Sequence, residues 1–290
     1  MASRCPTKAP DKSATFHAPN TGMMRDSYEL RYYDAKHQYF VRGGHWDQFT
    51  WLPSTSAIAK LTDPPGDRLV AWAIRSTADA VEEKLSSGAL TKERVANAIA
   101  EARKASDRKK ESAGDYGTEA HALFERAIST KVWRGRVAPE LRAALEAMRR
   151  WRDEWAVEVL EQEFLVLHPE LGYAGTGDLR ATFVLARALS VAGVQLPLDP
   201  AEPELRRTLY ADLKTGKGTY RSNYAQMSGY ELADRAVGGP GWDLAVLLHL
   251  PQGAEQIEVL PQKAPKDDAR AFECARFLHW WAKEQPREGA

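Results

Sequence analysis

The stretch Leu209-Tyr210-Ala211-Asp212-Leu213-Lys214-Thr215-Gly216-Lys217-Gly218 reads as a strand running into a glycine-rich loop. Side chains alternate along a strand, so Leu209, Ala211 and Leu213 share one side and Asp212 and Lys214 the other. A carboxylate and an ammonium thus project together from one face. An exposed antiparallel strand shows the same polar-out alternation, with a surface pair worth at most ~1 kcal/mol. The neighbouring segments decide between the two readings.

Upstream stands Gly172-Tyr173-Ala174-Gly175-Thr176-Gly177-Asp178-Leu179-Arg180-Ala181. Three glycines make a poor ordinary strand, because interior glycine weakens packing and marks a bulge or a close approach. A carboxylate beside sparse backbone suits a hard divalent cation, which takes oxygen ligands and retains water. A glycine-rich hairpin with Asp in its turn is the plainer alternative. Glu163, in Glu161-Gln162-Glu163-Phe164-Leu165, lies on the strand that pairs with Asp178's if Pro169–Gly172 closes a hairpin. Glu161 falls on the same face by period two, so the pattern leaves both glutamates open. His121 sits on a helix with Leu123, Ala127 and Ile128 beside it, where a lone histidine is usually structural. Gln226 and Tyr230, four apart, share one helical face.

The remaining chain supplies the frame. Residues 1–26 read as a polar, partly disordered lead-in with no apolar signal region. From residue 27, YELRYYDAKHQYFV reads as a hairpin around Asp34-Ala35-Lys36. Ser54 or Thr55 caps a short helix to Leu61, closed by Pro64-Pro65-Gly66. Helices are expected over 67–84, from 91 to about 110, over 115–129 and from 139 to about 155. The third-last of these carries Arg94, Arg103, Lys104, Arg108, Lys109 and Lys110, a solvated face or a phosphate contact. Strands are expected at 157–168, 173–185 and 208–215, with a proline-bearing insertion at 186–207 between the second and third. A helix (222–236), strands (244–250, 255–260) and a last helix (267–284) complete the order. This is an α/β pattern: a mixed sheet flanked by helices, with a helical N-terminal elaboration, in one domain over 27–290, its core at 115–290. Trp151, Trp155, Trp280 and Trp281 read as packing residues.

The ordered set His121, Glu163, Gly175-Thr176-Gly177-Asp178, Asp212-Leu213-Lys214-Thr215-Gly216 and Gln226-x-x-x-Tyr230 resembles the motifs of the RecB-like exonuclease branch of the PD-(D/E)XK nucleases. The likeness covers residues 115–235 closely, and LPSTSAIAKL with the preceding hairpin resembles the N-terminus of phage members. It implies a restriction-endonuclease-like core and metal-dependent hydrolysis of DNA, working on linear ends in recombination, replication or repair. His121, Asp178 and Asp212 would hold Mg²⁺ or Mn²⁺. Glu163 would assist, and Lys214 would stabilise charge at the phosphate. Gln226 and Tyr230 would shape the site. The loop with Lys217 and Arg221 suits phosphate contact. A non-cutting DNA-binding or recombination-accessory protein on the same fold is the alternative, and a recombination or annealing protein a possible partner. Gly177-Asp178 replaces the superfamily's Pro-Asp, and the 186–207 insertion lengthens the link between the two metal strands.

Totals constrain without deciding. The chain has 290 residues, 43% hydrophobic and 28% charged, with 40 Lys+Arg against 40 Asp+Glu. A neutral molecule can still present one basic face to DNA. Two cysteines, Cys5 and Cys274, make no disulfide framework and no four-thiolate iron–sulfur site, and suit a reducing cytoplasm. No apolar run approaches the ~20 residues of a membrane span.

Overall fold

Tyr28, Leu30 and Tyr32 alternate with polar residues, and in the computed structural model they form the buried face of a strand. The structure describes residues 9–17, 27–63, 91–129, 136–184 and 206–284, with single positions 6, 78 and 82. Strands β1 (Lys12–His17), β2 (Ser27–Tyr33), β3 (Gln38–Gly43) and β4 (Trp46–Leu52) form an antiparallel meander. The β2–β3 connection is a 3₁₀ turn over Asp34–Lys36, followed by His37 at φ 46°. Two strands went unread. β1 lies inside the expected lead-in, pairing Lys12 with Tyr32 through to His17 with Ser27. Its six residues bury no large apolar face, and backbone pairing to β2 orders them. β4 hides in an aromatic run whose alternation is broken by Asp47-Gln48.

Ser54 caps helix α1 (Thr55–Ala59) by accepting from the Ala57 N–H at 3.1 Å, as expected of a serine in that place. The helices expected at 91–110 and 115–129 are one helix, α2 (Lys92–Ser129). Gly114 and Gly117 each cost about 1 kcal/mol in its interior but keep their N–H, whereas a proline would break it. Tyr116, Ala120, Leu123, Phe124, Ala127 and Ile128 form its buried stripe. The side chains of the basic run at 94–110, the helix expected at 67–84 and most of the 186–207 insertion lie outside the described residues. Helix α3 (Arg142–Glu154) presents Trp151 to Phe124, with ring centroids 6.2 Å apart, and Trp155 lies 5.6 Å from Phe183. Those two tryptophans are core, as read.

Strands β5 (Glu158–His168), β6 (Tyr173–Val184), β7 (Arg206–Lys214), β8 (Leu244–His249) and β9 (Glu258–Pro261) form a second sheet in that order. All pairs are antiparallel except β7 and β8, which the crossover helix α4 (Arg221–Ala236) joins in parallel, the connection that parallel pairing requires. The α/β class with a mixed sheet flanked by helices is therefore observed. Helix α5 (Pro265–Glu284) packs Phe272 against Tyr173 and beside α4. One face of the sheet carries Phe164, Val166, Tyr173, Tyr210 and Leu247 beneath α1, α4 and α5. Leu167 and Ala174 join the meander's core instead. Asp63 Oδ1 accepts from the Ser222 N–H at 3.0 Å, placing an anion at the α4 N-terminus, where the dipole favours it. Trp280 and Trp281 are exposed rather than packed, because α5 offers its neighbours only the stripe through Phe272 and Ala275.

By contacts the chain divides into Met1–Asp63 with Leu123–Ala290, and Pro64–Ala122. The meander and α1 belong with the second sheet, because they share its core. Among the described residues no helix is long and apolar enough to cross a membrane.

Candidate functional site

Three acidic residues line up across three neighbouring strands. Gln162 pairs with Leu179 and Phe164 with Gly177, which sets Glu163 opposite Asp178. Leu179 pairs with Ala211, so the same row continues to Asp212 on β7. Facing residues of an antiparallel pair project from one face, and period two alone thus carries the row from β6 to β7. The Leu213 N–H donates to Asp178 Oδ2 at 2.8 Å, fastening the β6 carboxylate to the β7 backbone.

Asp212 is only 1% exposed. Its Oδ1 accepts from the Tyr210 hydroxyl at 3.3 Å, and the Lys214 ammonium lies 2.5 Å from Oδ2. That ion pair is not an aligned hydrogen bond, and among the described residues Oδ2 has no other donor. Burial would lower the Lys214 pKa, but the charges of Asp212 and Asp178 outweigh it and raise the value above the usual one. Lys214 is thus an ammonium at neutral pH. Asp212 and Lys214 do project together, as the alternation implied. Tyr210, two residues earlier on the same face, was missed although period two points to it.

The glycines make room. A Cβ on Gly175 would sit 2.5 Å from both Thr55 Oγ1 and Tyr230 Cε1, and one on Gly177 would sit 2.6 Å from Phe164 Cζ. Tyr230 consequently approaches the sheet closely, with its ring 5.7 Å from Tyr210's. Gln226 Nε2 donates to Tyr230 Oη at 2.6 Å, so the two residues do act on one helical face. Burial, with Asp212's charge beside it, holds the Tyr230 hydroxyl neutral far above the usual range. Tyr39 from β3 shares a 2.9 Å hydrogen bond with Thr176. Its pKa is pushed up to about 12 by burial and by the charge of Glu163, against a lowering from the Thr176 bond. No role was read for Tyr39 or Thr176, since nothing local links β3 to β6.

Glu163 and Asp178, both half-buried, each offer a carboxylate oxygen, and these lie within 4.8 Å of one another. The pair could contribute to holding a metal ion. Asp212 adjoins them in the row, its carboxylate engaged by Lys214 and Tyr210. The two glutamates separate cleanly. Glu161 is exposed and pairs with Arg180 at 2.9 Å. Glu163 has a left-handed backbone at φ 47°, and the register slips between Val159 and Glu161, so simple alternation does not hold along β5. Lys12 of β1 reaches Glu163, at 3.3 Å from Oε2 and 3.1 Å from the main-chain oxygen. Lys217 and Arg221 are exposed, in the loop after Lys214 and at the first position of α4.

Carboxylate oxygens on Glu163, Asp178 and Asp212 are donors that a metal ion can take. No protein-family model matches the chain, and no curated protein matches it.

Proposed function

We propose that the chain is a metal-dependent DNA nuclease of the RecB-like exonuclease kind, on a restriction-endonuclease-like core. The observation that carries the reading is the cross-strand row Glu163, Asp178, Asp212 with Lys214 beside it. Glu163 and Asp178 would hold Mg²⁺ or Mn²⁺ with Asp212 adjoining, and the resemblance adds His121 to that set. When bound, such an ion supplies charge stabilisation at a phosphodiester and acidifies water.

The chain's own residues do the rest. Lys214, kept charged by Asp212, offers its ammonium to a phosphate oxygen as negative charge builds there, and is too basic to act as a general base. Asp212 fixes that ammonium. Tyr230, packed close over Gly175, and Gln226, hydrogen-bonded to it, would wall the site from the α4 side. Lys217 and Arg221, exposed after β7, would meet backbone phosphates of an entering strand, a contact that positions without reading sequence. Linear DNA is the expected substrate, with a recombination or annealing protein as a working partner in the cytoplasm.

End-labelled linear duplex and single-stranded DNA, with Mg²⁺, Mn²⁺ or EDTA, tests the reading beside Lys214→Ala. Metal-dependent loss of label in the wild type and none in the variant supports it. Tight DNA binding with no cleavage in either metal would move the assignment to a non-cutting DNA-binding protein.

A further inference from the structure

Lys12 stands where no catalytic motif would put it, on an edge strand near the N-terminus, yet its ammonium contacts both a side-chain and a main-chain oxygen of Glu163. Its side chain is 37% exposed and that of Glu163 33%, so the pair is neither buried in the core nor dispersed into solvent. The contact has a built character. β1 is held by a six-pair ladder to β2, with Lys12 opposite Tyr32, and Glu163 is held in a left-handed backbone conformation that L residues seldom adopt. Two ammoniums thus each face one carboxylate of the row: Lys214 on Asp212 and Lys12 on Glu163.

We propose that Lys12 is a tethered cation that competes with a divalent ion for Glu163 and so sets how strongly the site takes up metal. The inference rests on the metal-binding reading of Glu163 and Asp178. A divalent ion drawing on Glu163 must displace an ammonium already 3.3 Å from Oε2. Lysine suits this role because its charge rides on a flexible stem and can swing aside, whereas a fixed guanidinium fork would not. Once displaced, the same ammonium is free to meet an anion at the site.

Mn²⁺ binding to the full chain, followed by calorimetry without DNA, tests this with wild type, Lys12→Met, Lys12→Arg and Asp178→Asn. Lys12→Met keeps the aliphatic stem and removes the charge; its Mn²⁺ affinity is expected to rise about fivefold, the scale of a half-exposed ion pair. Lys12→Arg is expected to bind no more tightly than wild type. Equal or weaker affinity in Lys12→Met would overturn the proposal, and if Asp178→Asn still abolished binding, the metal-site reading would survive that failure. Mn²⁺ binding by no variant would sink both. Should Met at position 12 loosen β1 in a thermal melt, Lys12→Gln is read by the same criterion.

Discussion

The Leu213 N–H donates to Asp178 Oδ2 at 2.8 Å, so one carboxylate serves two purposes, joining β6 to β7 and facing Glu163. The two are separable. Asp178→Asn keeps an oxygen to accept from Leu213 and removes a negative charge from a crowded row; its thermal stability should equal or exceed the wild type's while, on the proposed metal-binding reading, Mn²⁺ affinity falls at least about tenfold. Asp178→Ala orphans the Leu213 N–H and should cost about 1–3 kcal/mol. Denaturant melts beside calorimetry check both, and equal stability of the Asn and Ala variants would refute the linking role.

The ion pair between Lys214 and Asp212 gives a second expectation. Breaking a buried pair from one side costs roughly 3–5 kcal/mol, and Lys214, at 23% side-chain exposure, lowers that to about 2–3 kcal/mol for Lys214→Met, which strands a buried carboxylate. Because the folded-state pKa of Lys214 is raised, its stabilisation is complete below the unfolded value of ~10.5 and is lost as pH rises through the folded value. The stability gap between wild type and Lys214→Met should be flat from pH 7 to 9.5 and narrow above 10.5. A gap that narrows near neutrality would mean that Lys214 is not held as an ammonium.

How far the sequence revealed this arrangement depended on the range of each interaction. Asp212 and Lys214 were legible because two residues on one strand settle their own relation, and the Pro169–Gly172 turn was legible because it fixes its own hairpin. The Glu161/Glu163 ambiguity was not, since a left-handed residue and a register slip are decided by packing partners on other strands. Lys12, Tyr39 and Thr55 reach the site from the first 55 residues, with no local pattern to announce it. The exposed Trp280 and Trp281 show the converse: aromatic content does not say which side of a helix its neighbours leave uncovered.

Gly175 tests the close approach of α4. Any Cβ there meets Thr55 and Tyr230 at 2.5 Å, both held in packed surroundings. Gly175→Ala should destabilise the fold by about 1–3 kcal/mol, as overpacking does, and, on the proposed nuclease reading, weaken DNA cleavage by shifting Tyr230. Tyr230→Phe, which keeps the ring and loses the hydroxyl, should leave stability within ~1.5 kcal/mol. If Gly175→Ala melted like wild type, α4 would not lie as close as it is seen to.

His168 carries the pH dependence of the hairpin turn. Its Nδ1 accepts from the Leu171 N–H at 3.2 Å. Burial pushes its pKa below the usual ~6.5, Arg276 adding to the effect and Glu170 opposing it. A folded value below the unfolded one means the unfolded chain binds the extra proton first, so stability falls as pH drops below ~6.5 and is unaffected above ~7.5. His168→Asn can still accept from Leu171 but does not titrate. Its melting temperature should decline less than the wild type's between pH 7 and 5.5, and parallel declines would place the acid sensitivity elsewhere.

Glu163 offers the sharpest separation of stability from function. Its φ of 47° lies in the left-handed region, where a Cβ crowds the following carbonyl at a cost of roughly 1–2 kcal/mol and glycine pays almost nothing. Glu163→Ala and Glu163→Gly both lose the carboxylate, the Lys12 pair and, on the reading above, most Mn²⁺ affinity. They differ in backbone strain. Glycine's greater unfolded-state entropy offsets part of the relief, leaving Glu163→Gly more stable than Glu163→Ala by up to about 1 kcal/mol. Chemical denaturation of the two variants measures this directly. A more stable Ala variant would show that residue 163 is relaxed, and that its side chain is aimed by the strand pairing alone. A more stable Gly variant would show that the fold tolerates strain to point a carboxylate at Asp178, as functional sites do.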